Sequence, residues 1–171
     1  MAYFRQFGGQ IALLLLALLS VAISIYLTVV HYNTDVPLVC SSSGVINCER
    51  VLSSSYSNVP YTTLPVSLPG ILWSVVAASL ALGAWRIWPR TRLLHIAELV
   101  WGGIGLLSIF YLIYVEIVLL HTICAWCTAV HVLVLLYFLT SLVLLQSTGD
   151  DVEEDIEEEK EEVTTVNSKM R

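Results

Sequence analysis

The sequence predicts an all-α integral membrane protein, a four-transmembrane-helix bundle with an extracytoplasmic cysteine loop, and three observations carry that prediction. Apolar residues make up 57% of the 171 residues and charged residues 13%, and the mean hydropathy of +0.78 exceeds that of a soluble domain. The apolar residues gather into four stretches, each close to the roughly 20 residues that a helix needs to cross the hydrocarbon core. All four cysteines, Cys40, Cys48, Cys124 and Cys127, fall on one side of the membrane by this reading. Four spans fill a chain of this length, so a soluble catalytic domain is not expected. Nor is a nucleic-acid partner, with eight Lys and Arg against fourteen Asp and Glu.

The first span runs from about Ile11 to Val30 without a charge. Its apolar run exceeds the roughly 7–15 residues of a signal-peptide core and ends in His31-Tyr32-Asn33, not at a small-residue cleavage site, so the span is expected to be retained. The second starts after Leu64-Pro65-Val66-Ser67-Leu68-Pro69-Gly70, where Ser67 suits a cap and Pro69 a first turn, and continues to Trp88 before Pro89 stops it. Trp85 and Trp88 suit an interfacial belt. The third runs from about Leu94 to Leu120 and the fourth from about Thr122 to Leu145. Only His121 and its neighbours separate them, which predicts a tight antiparallel hairpin. The membrane domain then covers residues 1–146.

Residues 147–171 form an acidic segment, read as a disordered cytoplasmic tail. Asp150 to Glu162 holds ten of the fourteen acidic residues and produces the whole net charge of −6. Orientation follows from Lys and Arg. Arg5 precedes the first span, and Arg86, Arg90 and Arg92 crowd the link between the second and third, whereas the loop from Asn33 to Leu64 carries only Arg50. The positive-inside rule therefore puts both termini in the cytoplasm of a multi-pass cell-membrane protein and both cysteine pairs outside, where disulfides persist.

Cys124-Ala-Trp-Cys127 has the spacing of redox dithiols and of metal ligands alike, because i and i+3 on a helix share a face. At the first turn of the fourth helix the dipole and the unpaired N–H groups favour thiolate, whereas apolar surroundings oppose it. The loop pair Cys40 and Cys48, joined through a Ser/Gly link, reads either as one static disulfide or as an exchange partner for the inner pair. In the second case thiolate attack through a mixed disulfide lets accessible loop sulfurs feed a buried pair.

Together these parts resemble the vitamin K epoxide reductases and their bacterial and archaeal homologues. The resemblance rests on Cys40 followed by Cys48-Glu-Arg-Val-Leu-Ser-Ser, on Pro-Val-Ser-Leu-Pro-Gly leading into the second span, and on Cys124-Ala-Trp-Cys127 opening the fourth, and it covers roughly residues 10–146. It implies a four-helix bundle around a quinone (menaquinone, ubiquinone or similar). It also implies a relay in which Cys40 exchanges with an outside protein, Cys48 passes electrons to Cys124, and Cys127 faces the quinone. Ser54, six residues after Cys48, matches the family's loop serine and would orient this site. Val66 and His131 stand where the animal enzymes carry asparagine and tyrosine. These departures favour a simpler quinone reductase that oxidises a separate thioredoxin-like (DsbA-like) protein and so supports disulfide formation.

Among ionisable residues inside the spans, His131 lies one turn beyond Cys127 and could hydrogen-bond the quinone, and Glu116 could deliver a proton. His95 and Glu98 are expected to pair structurally, and Gly102-Gly103-x-Gly105 to allow close helix contact. Two alternatives stay open: an epoxide and quinone reductase of the animal type, and a non-enzymatic protein binding metal through Cys124, Cys127 and His131. No metal is expected in the preferred reading.

Overall fold

The computed structural model describes residues 2–33, 35–40, 44–59, 62–86 and 92–169, with backbone alone for residues 2–6, 148–159 and 161–169. Each apolar stretch becomes a helix, because a chain in hydrocarbon has to satisfy its backbone polar groups internally. The long helices are α1 (Ala2–Tyr32), α3 (Ser67–Arg86), α4 (Arg92–Tyr114) and α5 (Ala125–Lys169), and a short helix α2 (Cys48–Leu52) lies in the first loop. The segments apolar and long enough to cross a membrane are Phe7–Tyr32, Ser67–Arg86, Arg92–Leu119 and Ala125–Ser147. Among the described residues β-structure is limited to two isolated bridges.

The helices run up and down, with α1 against α3 and α5, and α4 against α5 and α3. Small residues set the spacing. Ala17 on α1 and Ala77 and Ala81 on α3 are fully enclosed with Leu13, Tyr137 and Leu144, and Ser74 donates to Ser20 across the same seam at 2.9 Å. The outward faces carry exposed Leu15, Leu72, Leu107 and Phe110, as a lipid-facing surface should. The glycine cluster does bring helices close. A Cβ on Gly102 would meet Phe138 and Tyr137 at 3.4 Å, and one on Gly105 would meet the Trp73 ring at 2.6 Å. Trp73 and Trp101 lock α3 to α4 reciprocally, each indole N–H donating to the other's carbonyl at 3.1 and 3.0 Å.

His95 and Glu98 pair as expected, Nδ1 to Oε2 at 3.2 Å, and Gln10 of α1 donates to Glu98 at 3.1 Å. All three are buried at the end of the bundle opposite the cysteines. Trp85 packs edge-on against Phe7; Trp88, Pro89 and Arg90 lie outside the described residues, as do Ser41, Ser42 and Ser43.

Two boundaries differ from expectation. The fourth span begins at Ala125, not Thr122, because the third does not end in a regular α-helix. Val115–Leu119 is a π-helical turn, and His121 then reverses the chain with φ of 50°. The acidic segment, read as disordered, continues α5 as helix to Lys169. Extension of an existing helix avoids the nucleation cost, and Glu and Lys are good helix formers, so local propensity outweighs the like-charge repulsion that favoured disorder.

Candidate active site

The first loop is fastened to the start of α5 by backbone and aromatic contacts. Ile46 and Ile123 form a parallel bridge in which Asn47 N–H donates to Ile123 C=O at 3.1 Å and Ile123 N–H to Val45 C=O at 3.0 Å. Asn47 caps α2, its side chain accepting from Arg50 N–H, so Cys48 is the first residue of that helix. Bridge and cap together set Cys48 beside the entrance to α5, and both Cys48 and Cys124 are almost fully buried. Trp126, inside the C-A-W-C, holds the other arm of the loop. Its indole donates to Val39 C=O at 2.8 Å and its ring stacks at a tilt on Tyr26, whose hydroxyl accepts from Val39 N–H. Cys40 follows Val39 directly and is disulfide-bonded to Cys48, with 6.2 Å between Cα atoms.

Cys124 and Cys127 are free thiols in different surroundings. Because α5 starts at Ala125, Cys124 occupies the N-cap, and its sulfur accepts the Cys127 N–H at 3.2 Å where a serine or aspartate oxygen usually sits. The Cys127 thiol, followed by the N–H groups of Cys127 and Trp126, holds the Cys124 thiol below its usual range, against burial and the Glu116 charge. Thiolate stabilisation at the helix start therefore belongs to Cys124.

Cys127 instead faces a cavity of about 220 Å³ between α1, α3, α4 and α5, lined also by Ser54, Val66, Trp73, Glu116 and His131. Four expected site residues, Cys127, His131, Glu116 and Ser54, thus share one chamber. His131 and Glu116 are both buried. Ser54 is half-buried, lines the cavity and donates its hydroxyl to Val51 C=O at 2.7 Å. Cys40 and Cys48 are bonded outside the chamber. Tyr111 and Tyr114 point outward, each about half exposed. Among the described residues, Cys124, Cys127 and His131 do not form a cluster placed to hold a metal.

The cavity wall contains residues that sequence reasoning passed over. Ser20, Ser24 and Ser74 line it, and Thr28 donates to Ser67 at 2.8 Å beside it. The spacing of Ser20, Ser24 and Thr28 along one face of an apolar helix was a signal for this polar stripe. Trp73, one turn past the Pro-Gly, forms the floor, and only its closeness to Gly105 reveals that role.

Comparison with curated proteins gives no significant match. Comparison with protein families matches residues 11–142 to the vitamin K epoxide reductase family, a span that takes in the second and third membrane-spanning helices, most of the first and fourth, the loop and both cysteine pairs. The chain belongs to the vitamin K epoxide reductase family, and with its membrane-spanning helices and paired cysteines it is a multi-pass membrane oxidoreductase.

Proposed function

We propose that this protein oxidises a separate thioredoxin-like protein and passes the electrons through Cys40/Cys48 and Cys124/Cys127 to a membrane quinone, supporting disulfide formation outside the cytoplasm. One observation carries the reading: the two C-A-W-C sulfurs have different neighbours, Cys124 lying beside the cysteine-bearing loop and Cys127 opening on the cavity. A reduced partner opens the Cys40–Cys48 disulfide. Cys48 thiolate then attacks an oxidised Cys124–Cys127 pair at Cys124, so that an S48–S124 bond forms and Cys127 leaves as thiolate. Attack of Cys40 on Cys48 restores the loop disulfide and frees Cys124.

Oxidation of the inner pair releases two electrons and two protons, the amount that turns a quinone into a quinol. The chamber fits such an acceptor. Its wall is largely apolar, as a ring dissolved in lipid requires, and His131, Ser54 and Glu116 supply polar groups for the oxygens. A bound quinone would supply the two-electron sink. Val66 lines the chamber without a side-chain hydrogen-bonding group, which supports quinone reduction over epoxide reduction.

The test is quinone-dependent oxidation of a reduced thioredoxin-like protein by the purified protein in lipid vesicles. Wild type should form one quinol per disulfide made, and Cys127→Ala none. Absence of quinol formation by wild type, or turnover retained in the variant, overturns the proposal.

A further inference from the structure

Glu116 is unusual in its placement. It is 5% exposed in the last stretch of a membrane-spanning helix, where an ionisable group is costly and points to function. It sits in the π-helical turn Val115–Leu119, a widened turn that rotates the following side chains relative to a regular α-helix and recurs at functional sites. Here the turn puts Glu116 in the wall of the chamber that Cys127 faces, with its carboxyl group in interaction range of the Cys124 N–H and the Cys127 thiol. Capture by the Cys124 N–H alone would make it a helix cap. The simultaneous approach to the Cys127 sulfur puts it at a reacting atom.

We infer that Glu116 is the catalytic base of the inner pair, taking the Cys127 proton and handing it to the acceptor in the same chamber. This deepens the quinone-linked reading and rests on it. The balance closes: two S–H bonds break, one S–S bond forms between Cys124 and Cys127, and two electrons and two protons leave for the quinone. The proton from Cys127 passes through the Glu116 carboxyl, which returns to carboxylate. The titratable groups around Glu116 are Cys124 at the N-cap of α5 and, in the wall of the same chamber, Cys127 and His131 of α5, His31 of α1 and Tyr56 of the loop. Of these, Cys127 is the thiol that shares both the chamber and the interaction range of the carboxyl group, and its proton is shared between Cys124 and Glu116.

Redox-difference infrared spectroscopy of the reduced, quinone-free full chain in lipid tests this without turnover. Oxidation of the inner pair by a small aromatic disulfide, whose halves leave as thiolates at neutral pH and so take the two electrons without the protons, should leave the Cys127 proton on Glu116, and a carboxylic C=O band should grow, shift in deuterium oxide, move in Glu116→Asp and vanish in Glu116→Gln. In vesicles with quinone, Glu116→Gln should lose about a hundredfold in kcat with little change in quinone KM, and Glu116→Asp should retain part of the rate. A carboxyl that keeps its protonation in both redox states of the wild type overturns the inference, as does a Glu116→Gln rate within twofold of wild type. A wild type that forms no quinol refutes the quinone reading instead, and the infrared band then still decides whether Glu116 accepts the thiol proton.

Discussion

Cys124 and Cys127 are three residues apart yet chemically unlike, and the difference comes from where the helix starts. Cys124 as N-cap takes an N–H and the Cys127 thiol as donors, so its thiolate persists to lower pH than an ordinary cysteine. The sign follows: with a depressed pKa, Cys124 reactivity is present above that value and lost as pH falls through it. Cys127→Ala removes the largest of the stabilising contacts and should move the Cys124 S–H infrared titration upward, while Cys127→Ser, which keeps a donor, should move it less. No upward movement would refute the donor role. Residue types alone announced the cysteines, His131 and Glu116, but not this division, because a cap is defined by the first helical φ/ψ and not by spacing. His131 is buried in the chamber wall, so His131→Phe should lower turnover about a hundredfold with quinone affinity nearly unchanged, as loss of one donor to a developing oxyanion does. His131→Tyr should restore much of it. A Phe variant within about twofold of wild type would make His131 a packing residue.

At the scale of elements, the loop matters as a mounting for a disulfide. The Ile46–Ile123 bridge and the Trp126–Val39 hydrogen bond hold its two arms on either side of the C-A-W-C. Segment by segment, periodicity and length revealed the four helices, since a long apolar run in lipid has few alternatives. They did not reveal the bridge, which pairs residues 77 apart in sequence through two short hydrogen bonds. Nor did they reveal the π-turn, because one extra residue in a turn leaves no mark on an apolar run. The mounting makes a kinetic statement. Cys40→Ser and Cys48→Ser should each block oxidation of a thioredoxin-like partner while sparing quinone-dependent oxidation of dithiothreitol, which is small enough to reach the inner pair directly. Equal loss with both reductants would make the loop disulfide structural only.

For the whole molecule, the cysteines and the chamber mouth gather at one end, where Arg50 is the single Lys or Arg among the described loop residues, and Arg86 and Arg92 lie at the other. Both cysteine pairs, the loop and the chamber mouth sit where α1 ends and α3 and α5 begin, whereas Arg86 and Arg92 lie at the opposite ends of α3 and α4. That polarity was legible in the sequence because charge placement needs no contacts to be read. The helical course of the acidic segment was not, since composition argued for disorder while propensity extended α5. We propose from the positive-inside rule that the basic end faces the cytoplasm, which would put the Cys40–Cys48 disulfide in a compartment where glutathione does not reduce it. The expected outcome in intact cells is that, after treatment with a membrane-impermeant phosphine reductant, an impermeant maleimide labels Cys40. A cysteine placed at the far end of α5 by Lys160→Cys, in a background lacking the other four, should be labelled only once the cells are lysed. The two sites bracket the bundle, so the experiment has opposite signs for the two orientations. Labelling of the α5 site in intact cells, with Cys40 protected, would put the disulfide in the cytoplasm, where its partner would meet a reducing pool and electron flow toward the quinone could no longer be coupled to making disulfides outside.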